Sequence, residues 1–171
     1  MKLINFSIIL FISASLLFSN QVFGQKVAHV NSANILASMT ESKAAEKQLE
    51  SYTKQLEKQY QQKVTKADTE YKAVQKKIQN GLLTPKQVAE QETYFINKQK
   101  EIQKFELSAQ QKVEQKRKEL LDPILKKAET AINAVAKSEG YTFVLDESLG
   151  YILYAKSAND ITPAVKAKLG L

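Results

Sequence analysis

Three side chains in this sequence have the chemistry of an acid–base site: His29, Asp146 and Glu147. His29 is the sole histidine. It sits in a short apolar run, Val27-Ala28-His29-Val30, and is expected to be a strand residue satisfied by its neighbours, not a general base or metal ligand. Asp146 and Glu147 are adjacent acids just after Phe143-Val144-Leu145, where a turn role is expected. Proton transfer needs a base held within reach of a substrate proton, and nothing here specifies such a partner. No phosphate loop, nucleophile elbow or metal-ligand spacing is present. The chain has no cysteine, which removes disulfides, thiolate metal sites and a lipid-modified N-terminal cysteine. The sequence therefore predicts neither an enzyme nor a cofactor.

What the residues do offer is binding by charge and by aromatic surface. The chain carries 25 Lys+Arg against 18 Asp+Glu. Residues 61–100 hold lysines at 63, 66, 72, 76, 77, 86, 98 and 100 against acids at 68, 70, 90 and 92, so much of the excess lies there. Lys63, Lys66, Lys72, Lys76, Lys77 and Lys86 form the candidate cationic surface. Such a surface attracts acidic segments or anionic lipid headgroups; the bland alternative is a solvated helix face. Tyr94 and Phe95 are neighbours and do not both face one helix seam, so one of them is free to meet solvent or a bound chain. Tyr52, Tyr60 and Tyr71 fall at seam positions.

These residues must be positioned by a long helical hairpin, residues 41–139, folded near 79–84. Ala45, Leu49, Tyr52, Leu56, Tyr60, Val64, Ala67, Tyr71, Val74 and Ile78 recur at steps of three or four, which places them on one helix face. The mean step is about 3.67, so the arm is expected to run nearly straight. At about 39 residues it is on the order of 58 Å long. Thr84 is a helix N-cap, with Pro85 at the first position and Gln87 completing a capping box. The returning arm carries Val88, Phe95, Ile102, Phe105, Ala109, Val113, Leu120, Ile124, Ala128, Ala131 and Val135. Its stripe is interrupted by Gln91, Gln99 and Lys116. Pro123 is expected to kink or break this helix. Gly140 supplies its left-handed stop.

The ends complete the plan. Residues 1–24 read as a cleaved secretory signal: Lys2, an apolar run from Leu3 to Phe18, and Val22-Phe23-Gly24 before the cut. An exported chain makes nucleic acid an implausible partner. Residues 25–40 and 140–171 read as a β-rich body. Lys26 to Asn31 is a strand, followed by a short helix capped by Asn31 or Ser32. Ser38 or Thr40 is expected to cap the long arm. Tyr141–Asp146 and Tyr151–Ala155 read as two strands of a hairpin, and Thr162-Pro163 opens a last helix ending near Gly170. The fold class is α+β, a long antiparallel coiled-coil hairpin on a small β-rich body. A two-helix arm buries one stripe per helix and makes no full core, so oligomerisation is expected.

Taken together, the chain resembles the OmpH/Skp family of periplasmic chaperones. The resemblance lies in Lys26-Val-Ala-His-Val-Asn-Ser-Ala-Asn-Ile35, the lysine- and glutamine-rich hairpin, Leu121-Asp-Pro-Ile124, Ala131-Ile-Asn-Ala-Val-Ala136, Gly140-Tyr-Thr-Phe-Val-Leu-Asp146, Tyr151-Ile-Leu-Tyr154 and Asp160-Ile-Thr-Pro163. It implies a periplasmic homotrimer with a β-rich trimerisation body and three tentacles around a cavity. That cavity would hold unfolded outer-membrane proteins without ATP. Val27, Val30, Ile35, Phe143, Leu145, Ile152 and Leu153 are the expected body residues, with Phe143 and Leu145 facing a shared core. The contrasting reading is a structural coiled-coil adaptor that bridges envelope components through its tip, Asn80 to Leu83.

Overall fold

Good helix formers without an internal glycine or proline fill residues 40–79, and the computed structural model, which describes residues 25–171, makes them one helix. The signal segment read over residues 1–24 lies outside the described residues. In order, the elements are strand β1 (Val27–Val30), helix α1 (Ser32–Ser38), helix α2 (Thr40–Gln79), helix α3 (Pro85–Glu139), strand β2 (Phe143–Asp146) and helix α4 (Thr162–Leu169). Single 3-10 turns at Glu147–Leu149 and Ser157–Asn159 lie between β2 and α4.

At 1.5 Å per residue, α2 is about 60 Å long and α3 about 80 Å. The turn between them is closed by Gly81 at φ 67°. The Leu82 N–H donates to the Lys77 carbonyl at 2.9 Å and the Gly81 N–H to that of Ile78 at 3.0 Å. This paired closure requires a left-handed residue, which glycine adopts without a side-chain clash. Thr84 then caps α3 in a full capping box with Gln87, as its spacing predicts. Gly140, at φ 73°, ends α3 with the same paired closure.

Two local expectations give way to packing. The N-cap of α2 is Met39, which has no capping side chain, in place of Ser38 or Thr40. Ser38 bonds back to the Asn34 carbonyl at 2.8 Å. Met39 is almost fully buried, so burying its side chain decides where α1 stops and α2 starts. Asn31 does cap α1, accepting from the Asn34 N–H. Likewise Pro123 does not break α3, which continues through it. Leu120 and Ile124 on either side of it are packed into the core, and this holds the helix together across the lost backbone bond.

The core lies at the root of the arms. Ala28, Val30, Ile35, Met39, Ala45, Ile124, Ala128, Ala131, Val135, Ile161 and Val165 form one buried cluster. The widened apolar face of α3 beyond Leu120 thus packs on the body, as its pattern suggests. Val165 of α4 has no exposed surface.

The sheet holds two of the three strands read in the sequence. β1 and β2 pair in parallel, with Val27 opposite Phe143 and Val30 opposite Asp146. His29 bridges onward to Asp160. Residues 151–155, read as a second hairpin strand, form no strand. Their β-forming side chains pair with no strand of this chain, and strand preference without a partner ladder does not make a strand.

Candidate binding surfaces

The arms meet along an antiparallel seam whose register is legible in its contacts. At the root Lys127 of α3 pairs with Glu41 of α2. Farther out Lys63 lies over the Phe105 ring, 5.3 Å from its centroid. Farther still Phe95 packs edge-on to Tyr71 at 5.2 Å. Burial falls along the same path. In α2 only Ser42, Ala45 and Leu56 are buried, and in α3 only Ile124, Ala128, Ala131, Val135 and Ala136. Beyond Leu56 the seam residues are at best half-buried. Open grooves follow the seam. One of about 530 Å³ is lined by Thr53, Leu56, Tyr60, Ala109 and Val113. Another of about 450 Å³ is lined by Tyr71, Val74, Ile78, Val88 and Phe95.

The predicted cationic residues all lie on the outer half of the arms and are exposed. They are not equivalent. Lys72 is paired with Asp68 at 2.6 Å, one helical turn away, and Lys63 is drawn over Phe105. Lys76 and Lys77 occupy the last turn of α2, where cations are favoured by the helix dipole. Lys66 and Lys86 are exposed.

Tyr94 and Phe95 divide as neighbours on a helix must. Phe95 enters the seam. Tyr94 stays on the flank, edge-on to Phe95, and clasps the other arm. Its hydroxyl donates to Glu70 at 2.9 Å, and Lys98 donates to the same hydroxyl at 2.8 Å. Lys98 also stands 3.4 Å from Glu70. The Tyr94 hydroxyl holds the Glu70 carboxyl below its ordinary range, with Lys98 adding to the effect. The Tyr94–Lys98 spacing of one turn is visible in sequence; the reach to Glu70 depends on the register of the two arms.

The body presents the second surface. Of the predicted body residues, Val30 and Ile35 are buried in the chain's own core and Val27 is partly covered. Phe143 and Leu145 point the other way, 53% and 50% exposed. Alternation along β2 sends Val144 inward and these two outward. Ile152 is half-covered and Leu153 is 98% exposed, flanked by exposed Tyr151 and Tyr154. Leu149, just before them in the chain, is exposed too. Sequence reasoning missed Met39, Ile161 and Val165 as core residues, because each stands at an element boundary or in a short helix without a readable stripe.

Below this strip a polar cluster ties the segment between β2 and α4 to β1. Asp146 accepts from the Ser32 N–H at 3.2 Å, from the Ser32 hydroxyl and from the Ser148 N–H at 3.0 Å. Partial burial pushes the Asp146 carboxyl up, but the hydrogen bonds from Ser32 and Ser148 outweigh it and hold the group below its usual value. Glu147 reaches His29 Nδ1 at 2.8 Å and accepts from Asn31 Nδ2 at 3.2 Å. His29 is buried with both ring nitrogens facing acceptors, in keeping with its strand position. Among the described residues no group of His, Cys, Asp or Glu is arranged to hold a metal ion, and no helix is long and apolar enough to cross a membrane.

A profile of outer membrane proteins described as OmpH-like matches residues 26–169, nearly all of the body and both arms. The chain belongs to the OmpH-like family. The architecture agrees. A crystal structure of an OmpH-like protein from Caulobacter crescentus CB15, described as a candidate outer membrane chaperone, superposes with a TM-score of 0.72 at 23% identity. The match covers 85% of this chain and 84% of that one. At that identity the likeness establishes the fold of this OmpH-like chain, long helices on a small two-stranded sheet. No curated protein matches it.

Proposed function

We infer that this protein is an ATP-independent holdase chaperone of the periplasm, assembled as a homotrimer, that shelters unfolded outer-membrane proteins between its arms. The observation that carries the reading is the arm itself. It is long, half-open along its seam, cationic on its outer half and rooted in a small core. Such an arm has few buried contacts to keep it rigid, so it flexes and adapts to chains of different size. Membership of the OmpH-like family supports the client class, and the uncovered strip from Leu149 to Tyr154 with Phe143 and Leu145 supports self-assembly. Binding is the sum of many weak contacts, with lysines speeding capture of acidic segments. No catalytic step and no cofactor is needed for it. Anionic lipid headgroups are a second partner for the same lysines.

The test is aggregation of an urea-unfolded β-barrel protein on dilution, with and without equimolar trimer. The proposed function requires suppression of light scattering by the protein alone, without nucleotide. Scattering equal to the control would overturn it. One feature favours the adaptor reading: Leu82 at the arm tip is 67% exposed. Replacing Leu82 with Ser leaves holdase activity unchanged on the chaperone reading. An adaptor would show no holdase activity in either form.

A further inference from the structure

The segment from Glu147 to Lys156 carries the exposed Tyr151–Tyr154 strip, and its two ends converge on one side chain. His29 Nδ1 lies 2.8 Å from Glu147 Oε2 at the start of the segment. Its Nε2 lies 3.1 Å from the Lys156 carbonyl oxygen at the end. The ring is buried, 8% exposed, in the middle of the chain's small sheet. Both of its partners are acceptors. A neutral imidazole has one N–H to give and one lone pair, so it satisfies one of them and sets its lone pair against the other. Only the doubly protonated ring donates to both.

We propose that His29 is a proton-operated clasp that closes the base of the 147–156 segment and so sets how firmly the Tyr151–Tyr154 strip is presented. With the ring protonated, both stems are held to β1. With it neutral, the ring's hydrogen bond to one stem is lost and that stem is held less firmly. Histidine is the side chain whose charge ordinarily changes between pH 5 and 8, and that is the range over which the clasp is tested. The surrounding charges are compatible with this. Glu147 faces the ring directly and steadies its cation. Asp146 is committed to Ser32 and Ser148, and Asp160 accepts from the Thr162 N–H at 2.8 Å. The Lys156 ammonium is exposed, and Lys26 turns away to the Glu139 carbonyl. No cation among these opposes a charged His29. The clasp is complete while the ring carries both protons and weakens when it gives one up.

That the strip is an assembly surface rests on the trimer reading above; the clasp itself does not. Because His29 is the sole histidine, its imidazole resonances are unambiguous. The experiment follows them by NMR from pH 5 to 8 on the assembled protein, together with amide-exchange protection factors corrected for the intrinsic pH effect. Losing one hydrogen bond at the base lowers protection across residues 147–156 about five-fold, in step with the His29 titration, while protection in α3 stays constant. In His29→Gln the protection is independent of pH over this range. If His29→Gln does not fold, Glu147→Gln, which removes the anionic acceptor, supplies the second variant and moves the titration midpoint down. Protection that stays constant while His29 titrates, or that follows pH equally in His29→Gln, overturns the clasp. Molar mass on the same samples bears separately on assembly: a monomer at every pH overturns the trimer, while the protection factors still decide the clasp.

Discussion

Asp146 concentrates more hydrogen bonds from Ser32 and Ser148 than any exposed acid on the arms receives, and this makes it the carboxylate whose titration reaches the fold. Its folded value lies below the ordinary 3.8, so the stability it contributes is present above about pH 4. It is lost as pH falls through the folded value. Asp146→Asn should cost about 1–2 kcal/mol at pH 7, the lower part of the range for charge-assisted bonds because the group is partly exposed. The difference between variant and parent should shrink in melting curves recorded below pH 4. A gap that persists at pH 2 would show that the carboxylate charge is not what matters. Ser42 is the opposite case. Its hydroxyl is buried at the root of α2 and has no hydrogen-bond partner among the described residues. Ser42→Ala removes an unsatisfied group and adds helix preference, so it should raise stability by about 1 kcal/mol. A lower melting temperature would reveal a partner supplied by another subunit.

At the scale of elements, the arm is stiff at its root and loose at its tip. The buried residues of α2 and α3 lie near the body, and the Glu41–Lys127 pair sits there too. The outer half relies on the Tyr71–Phe95 contact, the Tyr94–Glu70–Lys98 clasp and the Thr84 cap. Thr84→Ala deletes the cap and should cost the first turn of α3 about 1 kcal/mol. Burial is confined to the root, so the outer arm should open apart from the core, and the loss should appear as faster amide exchange between residues 84 and 92, with the main melting transition nearly unmoved. A shift of several degrees in that transition would mean that arm and body unfold as one unit.

For the whole molecule, two surfaces remain open in one chain, and each has its own measurement. Phe143→Ala should barely alter the chain's own packing, since Phe143 is half exposed. If the strip is covered by other subunits, the cost should instead reach roughly 3–5 kcal/mol and appear as a concentration-dependent fall in melting temperature. Equal melting at all concentrations would sink the shared core. The outer lysines act at a distance and are screened beyond about 8 Å at physiological salt. Replacing Lys66, Lys76 and Lys77 with Gln keeps helix preference nearly constant. Capture of an unfolded barrel protein should slow several-fold at low salt, and the difference should vanish at high salt. Stopped-flow rates equal to the parent at low salt would reduce these lysines to a solvated face.

What the sequence determined by itself is local. The apolar steps of three and four wrote both arms, and the Thr84-Pro85-Gln87 and Gly140 signals marked where α3 begins and ends, because caps and periodicity act within a few residues. The family was legible for a related reason: the order of short phrases along the chain survives without knowledge of their contacts. Tertiary structure decided the rest. Met39 became a helix boundary because its side chain is buried, and Pro123 stayed inside α3 because Leu120 and Ile124 are packed around it. β2 joined β1 in parallel across the whole hairpin, a pairing that no local pattern encodes. The β-rich Tyr151–Ala155 stayed out of the sheet: strand preference is a local property, and no strand of this chain pairs with it. His29, a lone histidine in sequence, acquired its two acceptors only when Glu147 and Lys156, more than a hundred residues away, were folded back onto β1.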